Sequence, residues 1–179
     1  VLAFSGDNGV GKSTLLRAIA RYPRVERGLR VSGDLILSED AAARAFFDCD
    51  LRHYLFADSV TAEIQESRQE VLARRQVLLR RFGLSTLGAT SPRSLSVGER
   101  QRLVLSLLLA EQPRLLILDE PTRALDRGSK NILIDLLLQL THTAECGVIL
   151  ATHDQELIGA LGATECQLEL ATARNRWRH

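Results

Sequence analysis

Three cysteines in 179 residues, at positions 49, 146 and 166 with no CxxC pair, are too few and too scattered for a disulfide framework or a zinc site. A reducing compartment is therefore expected. No charge sign is in excess: 23 Lys and Arg stand against 22 Asp and Glu, a formal net charge of +1. That balance argues against an affinity resting on a large basic field, and no nucleic-acid partner is expected. Long hydrophobic runs are also missing. The longest, over 103–110 and 132–138, have the length of a helix core and fall short of the ~20 apolar residues that cross a bilayer. A leader peptide is not expected, because the first glycine-rich turn arrives at Gly6. Methionine is absent altogether, and residues 1–5 already read as a buried strand with nothing before them. The chain is expected to be a fragment lacking its natural N-terminal segment, with N-terminal strands missing.

What is present is 45% hydrophobic and 25% charged, the balance of one soluble globular domain. The run 1–5 predicts a strand, and Leu15, Leu16, Ala18 and Ile19 predict a helix that Pro23 stops. Residues 29–37 alternate as a strand or hairpin. The stretch 57–84 is helical in type, with Arg74, Arg75, Arg80 and Arg81 expected on a solvated face. A loop over 90–97, broken at Pro92, leads into a helix over 99–111. An all-aliphatic strand at 115–118 follows, then a turn at Pro121 and a helix near 129–140. A strand at 147–152, a short helix and a last strand near 167–170 close the order. Cys146 and Cys166 read as buried small hydrophobes. Alternation of aliphatic strands with helices implies an α/β domain, its mostly parallel sheet covered on both faces.

Four stretches carry chemistry. Gly6-Asp7-Asn8-Gly9-Val10-Gly11-Lys12-Ser13 fits GxxxxGK[ST] between a strand and a helix. Its glycines let backbone N–H groups of Asp7, Asn8, Gly9, Val10, Gly11 and the first helical residues, through Thr14, curl around phosphates at the positive end of a helix. Lys12 would reach the β- and γ-phosphates and the Ser13 hydroxyl a Mg²⁺ ion. In Leu115-Leu116-Ile117-Leu118-Asp119-Glu120, two carboxylates close a buried strand, the end at which open α/β sheets bind ligands. Asp119 would hold Mg²⁺ and Glu120 would polarise the attacking water. Leu95-Ser96-Val97-Gly98-Glu99-Arg100-Gln101-Arg102 opens the long apolar helix, where Ser96 and Gly98 can offer hydrogen bonds to an anion. His153 ends the strand 147–152 and could hydrogen-bond a phosphate.

The four elements in this order resemble the nucleotide-binding domain of ABC ATPases. The phosphate loop matches, Leu95–Glu99 is like the family's LSGGQ signature, and Leu115–Thr122 reads LLILDEPT. Ala124-Leu125-Asp126 is like the D-loop and His153 like the switch histidine. The resemblance implies a P-loop NTPase fold over residues 1–179, with a helical subdomain over about 57–97 inserted between phosphate loop and signature. It implies hydrolysis of ATP with Mg²⁺, Glu120 and His153 acting catalytically. It further implies a head-to-tail dimer with a second ABC ATPase subunit, identical or not, in which Ser96, Gly98 and Glu99 face the nucleotide bound by the partner. Asp126 would connect the two sites.

This sequence departs from the family pattern at Val97, where glycine is usual, and at Cys49, nearest in register to the Q-loop glutamine, with Asp48 or Asp50 as substitutes. The adenine-stacking aromatic would lie upstream of the chain. The stretch Leu55–Ile64 looks like the segment after the Q-loop in importers of the energy-coupling factor type. An importer ATPase is therefore expected, bound to a polytopic membrane subunit at the cytoplasmic face of the membrane as a peripheral protein. Two alternatives stay open: a soluble ABC ATPase acting on ribosomes, and a degenerate regulatory half-site. The basic tail Arg174–His179 is expected to be a frayed terminus.

Overall fold

The computed structural model describes residues 1–20, 44–48, 50–65, 67–142 and 146–169. The strand or hairpin expected over 29–37, Cys49 and the basic tail lie outside the described residues. The described elements run β1 (Leu2–Ser5), α1 (Lys12–Ile19), β2 (Arg44–Phe47), α2 (Val60–Gln65), α3 (Gln69–Arg81), α4 (Val97–Ala110), β3 (Leu115–Asp119), α5 (Arg127–His142), β4 (Gly147–Ala151), α6 (Gln155–Ala160) and β5 (Thr164–Gln167). Five strands form one sheet in the order β2-β3-β4-β1-β5, every pairing parallel.

Period-two alternation divides each inner strand between two apolar layers. Phe4, Phe46, Leu115, Ile117 and Ala151 pack with Leu16 and Ile19 of α1. Ala3, Ala45, Phe47, Leu116, Leu118, Val148 and Leu150 join the larger layer built on α3, α4, α5 and α6. Both faces are thus covered, as the aliphatic runs require. Asp119 falls on the same face as Leu115 and Ile117, the one closed by α1, whose first residues are Lys12 and Ser13. The register aligns Asp119 with Ala151 and Ala151 with Phe4, so β1, β3 and β4 end at one level.

Several expectations are corrected. Helix α4 starts at Val97, two residues early, because Ser96 and Glu99 form a capping box: Ser96 Oγ accepts from the Glu99 amide and the Glu99 carboxylate from the Ser96 amide. The 57–84 stretch is two helices, α2 and α3. Arg74 and Arg75 of α3 are not a solvated face: Arg74 Nε donates to Ala110 O at 2.7 Å, and Arg75 bonds Ile64 O at 3.1 Å and the Glu111 carboxylate at 2.9 Å. They fasten α3 to α4 and α2, while Arg80 and Arg81 are exposed. Strand β2 was not anticipated, and the last strand lies at 164–167 rather than 167–170. Cys146 is buried, which pushes its thiol up, whereas Cys166 sits on β5, exposed along its length.

Candidate active site

The loop 6–11 runs from β1 into α1 with glycine at each point of left-handed backbone. Gly11 has φ 105° directly before α1, and a β-carbon on Gly6 would lie 2.5 Å from the Leu168 carbonyl oxygen. No side chain caps α1 and no acidic residue stands in its first turn. Its first N–H groups therefore remain available to an anion. Lys12 is buried and folds back over the loop, donating to Gly6 O at 2.6 Å and Asp7 O at 3.1 Å. His153 Nε2 lies 3.1 Å from Lys12 Nζ and 3.2 Å from Asn8 Oδ1. A neutral imidazole nitrogen serves one of these at a time, accepting from the lysine or donating to the asparagine.

At the end of β3, Asp119 is 1% exposed. Burial pushes its carboxyl above the usual range, and the charges of Asp48 and Glu120 add to this. The Ser13 hydroxyl bond and the Arg17 charge work the other way. Its Oδ2 is buried with no hydrogen-bond partner. A buried unpartnered carboxylate oxygen beside a hydroxyl is a donor set that suits a hard divalent cation. Asp48 lies one residue beyond Phe47, which pairs with Leu118, and forms an ion pair with Arg17, whose Nη2 is 3.0 Å from Oδ2.

Glu120 adopts a left-handed backbone, φ 46°, a conformation that costs roughly 1–3 kcal/mol in a residue with a side chain. Its amide donates to Ala151 O at 2.9 Å, which extends the β3–β4 ladder through the bend. Fully buried Thr152 places Oγ1 3.4 Å from Glu120 Oε2, and His153 Nε2 is 3.6 Å from Oε1. The loop carrying His153 is anchored behind it, where Lys130 Nζ meets Asp154 Oδ1 at 2.8 Å. Burial works to raise the Asp154 carboxyl, but bonds from Lys130, Thr122 and the Leu157 amide outweigh it and hold it below its ordinary value.

These groups share a cleft of about 740 Å³ lined by Asn8, Gly9, Lys12, Ser13, Asp119, Glu120 and His153, with Arg17 and Arg123 at its sides. The structure thus brings most of the expected residues together, with Gly11 and Thr14 also lining the cleft, whereas Asp7 and Val10 line a separate hollow with Gln167, Leu168 and Glu169. It does not bring Ser96, Gly98, Glu99 or Asp126 to that cleft. Ser96 and Glu99 bond each other at the start of α4, and Asp126 accepts from the Ser129 amide at 2.7 Å and from Arg102 at 3.1 Å. Val97, 57% exposed, lines a separate groove with Leu55, Phe56 and Arg100. Sequence reasoning missed Arg17, Thr152 and Gln101. Thr152 was within reach as a polar residue ending an aliphatic strand, and Gln101 lies inside the 95–102 stretch but was given no role there, whereas Arg17 stands on a helix with nothing local to mark it.

The family described as ABC transporter matches residues 1–123. The chain belongs to that family. It is an ABC ATPase domain: an ATP-binding domain of P-loop NTPase fold, of the class that hydrolyses ATP. It is 34% identical over 164 residues to the Fe(3+) ions import ATP-binding protein FbpC 2 of Rhizobium meliloti (strain 1021), an alignment of 87% of this chain and 42% of that one. It is 31% identical over 164 residues to the zinc import ATP-binding protein ZnuC of Marinobacter nauticus, covering 89% and 60%. The ABC ATPase domain thus spans less than two thirds of each of these relatives. A metal-chelate type ABC transporter solved in an inward-facing conformation matches with a TM-score of 0.71 at 26% identity, over 95% of this chain and 68% of that one. Among the described residues, no helix is long and apolar enough to cross a membrane.

Proposed function

We propose that this domain hydrolyses ATP to drive a membrane importer, closing head to tail on a second ABC ATPase subunit. The observation that carries the chemistry is the meeting of Lys12, Ser13, Asp119, Glu120 and His153 in one cleft at the carboxyl edge of the sheet. Loop amides and Lys12 bind and orient the phosphates of ATP. Ser13 and Asp119 would hold Mg²⁺, which when bound neutralises charge on the phosphate oxygens. The Glu120 carboxylate orients a water and takes its proton as the water oxygen bonds to the γ-phosphorus and the bond to ADP breaks. Thr152 and His153 steady that carboxylate, and His153 stands beside the γ-phosphate position.

The placement of the α4 N-terminus away from its own cleft supports the dimer. Ser96 and Gly98 would face the partner's γ-phosphate, with Asp126 at the seam. Phe56, 74% exposed, and Val97 give the groove beside Leu55 an apolar floor suited to a membrane-subunit helix. That groove, the Leu55–Ile64 stretch and the import proteins among the relatives favour the importer reading and a peripheral position at the cytoplasmic membrane face. Exposed Val97 in place of glycine favours a second reading, an asymmetric dimer in which one composite site is weak.

The deciding experiment is Glu120→Gln in the assembled protein. ATP binding is expected to persist, turnover to fall to background and an ATP-closed dimer to accumulate. Undiminished hydrolysis removes Glu120 from the mechanism.

A further inference from the structure

Helix α4 is fastened at three levels to the segment that follows β3. Gly98 approaches so closely that a β-carbon there would sit 2.8 Å from the Ala124 carbonyl oxygen. Arg102 reaches Asp126 at 3.1 Å and Ser129 at 3.3 Å. Between them Gln101, 4% exposed, donates from Nε2 to the carbonyl oxygen of Pro121. Pro121 is itself buried and directly follows Glu120, whose backbone is left-handed. The bend that aims the Glu120 carboxylate is therefore gripped from both sides. β4 holds the Glu120 amide through Ala151 O, and α4 holds the next peptide through Gln101. A buried carbonyl that loses its donor is left unpaired rather than returned to water, so the grip has no ready substitute.

We propose that Gln101 is a positioning residue for hydrolysis, holding the Glu120–Pro121 bend and tying the aim of the carboxylate to α4. This rests on the assignment of Glu120 to the attacking water. Ser96 and Gln101 are five positions apart, about 7.5 Å along a helix, so a shift of the first turn of α4 moves Gln101 with it. Events at the Ser96–Gly98 end of the helix are thereby felt at the catalytic carboxylate of the same chain, through three protein contacts and without any ligand in common. A misplacement of about 1 Å at a reacting group costs up to about 100-fold in rate.

The test uses Gln101→Met, which keeps length and loses the donor, and Gln101→Glu, which keeps shape and sets an acceptor against the carbonyl. Both are made in the intact protein assembled with its partners, and turnover is normalised to titrated ATP sites so that any unfolded fraction drops out. Turnover per site is expected to fall on the order of 10- to 100-fold, with the Kd for ATP within about twofold of the parent. Ser106→Ala, which removes a buried hydroxyl bond to Arg102 O elsewhere on α4, is expected to lower Tm and leave turnover per site unchanged. Lower Tm with unchanged turnover in both Gln101 variants overturns the proposal. Glu120→Gln that retains parental turnover instead defeats the assignment of the base, whatever the Gln101 variants do.

Discussion

Gly98→Ala sets two effects of similar size against each other. Alanine is favoured over glycine inside a helix by about 0.8–1.0 kcal/mol, and less than that in the first turn, where Gly98 sits. On propensity alone the variant gains stability. Against this, the new β-carbon would lie 2.8 Å from the Ala124 carbonyl oxygen. Carbon and oxygen in ordinary contact stand about half an ångström or more further apart, and the obstacle is backbone rather than the end of a flexible side chain. Either α4 or the 121–126 segment must move, and overpacking of this kind costs about 1–3 kcal/mol. The clash wins by roughly 1–2 kcal/mol, which for a domain of this size lowers Tm by about 2–8 °C. Thermal and urea unfolding of the parent and variant, without nucleotide, read this directly. The Gln101 and Arg102 contacts resist the same displacement, so the loss is expected to shrink when Arg102→Ala frees the segment. A variant as stable as the parent, or more so, refutes the close approach on which this reasoning stands.

Arg17→Ala leaves the nearly buried Asp48 carboxylate without its guanidinium. With Arg17 partly solvated, a loss of about 2–4 kcal/mol is expected, partly restored by Asp48→Asn in a urea-unfolding double-mutant cycle. Asp119→Asn removes an ionised group that burial disfavours. Because the folded carboxyl holds its proton to higher pH than the unfolded one, the penalty is absent below the unfolded pKa and complete above the folded one. In chelator, the variant is therefore expected to be more stable than the parent at neutral pH, with the gap closing as acid is added. A gap independent of pH would contradict this. Val97→Gly uncovers the backbone at an exposed first-turn position, and hydrolysis by the assembled dimer is expected to rise with Tm changed by less than about 2 °C. Unchanged hydrolysis would rule out an obstruction by Val97.

The legible part of the site was the part whose chemistry is local. A phosphate loop needs glycines, lysine and serine within eight consecutive positions, and β3 carries Asp119 and Glu120 at its own end. Such motifs survive as strings because one turn of backbone builds them. The elements misjudged were short or at an edge. Strand β2 has four residues, too few for a period to show, and β5 is exposed throughout, so no apolar face marks it. Arg74 and Arg75 resembled a solvated face because their partners, Ala110, Ile64 and Glu111, lie 11 or more positions away.

By itself, then, the sequence determined the family, the parallel α/β layering and most of the residues that line the cleft, because periodicity and contiguous motifs are properties of neighbouring positions. Tertiary structure alone decided that Arg17 guards Asp48, that Gln101 grips the Glu120 bend and that the α4 N-terminus stands outside its own cleft. Those outcomes depend on strand order and register, which bring together groups separated by 20 or more positions and leave no trace in either local stretch.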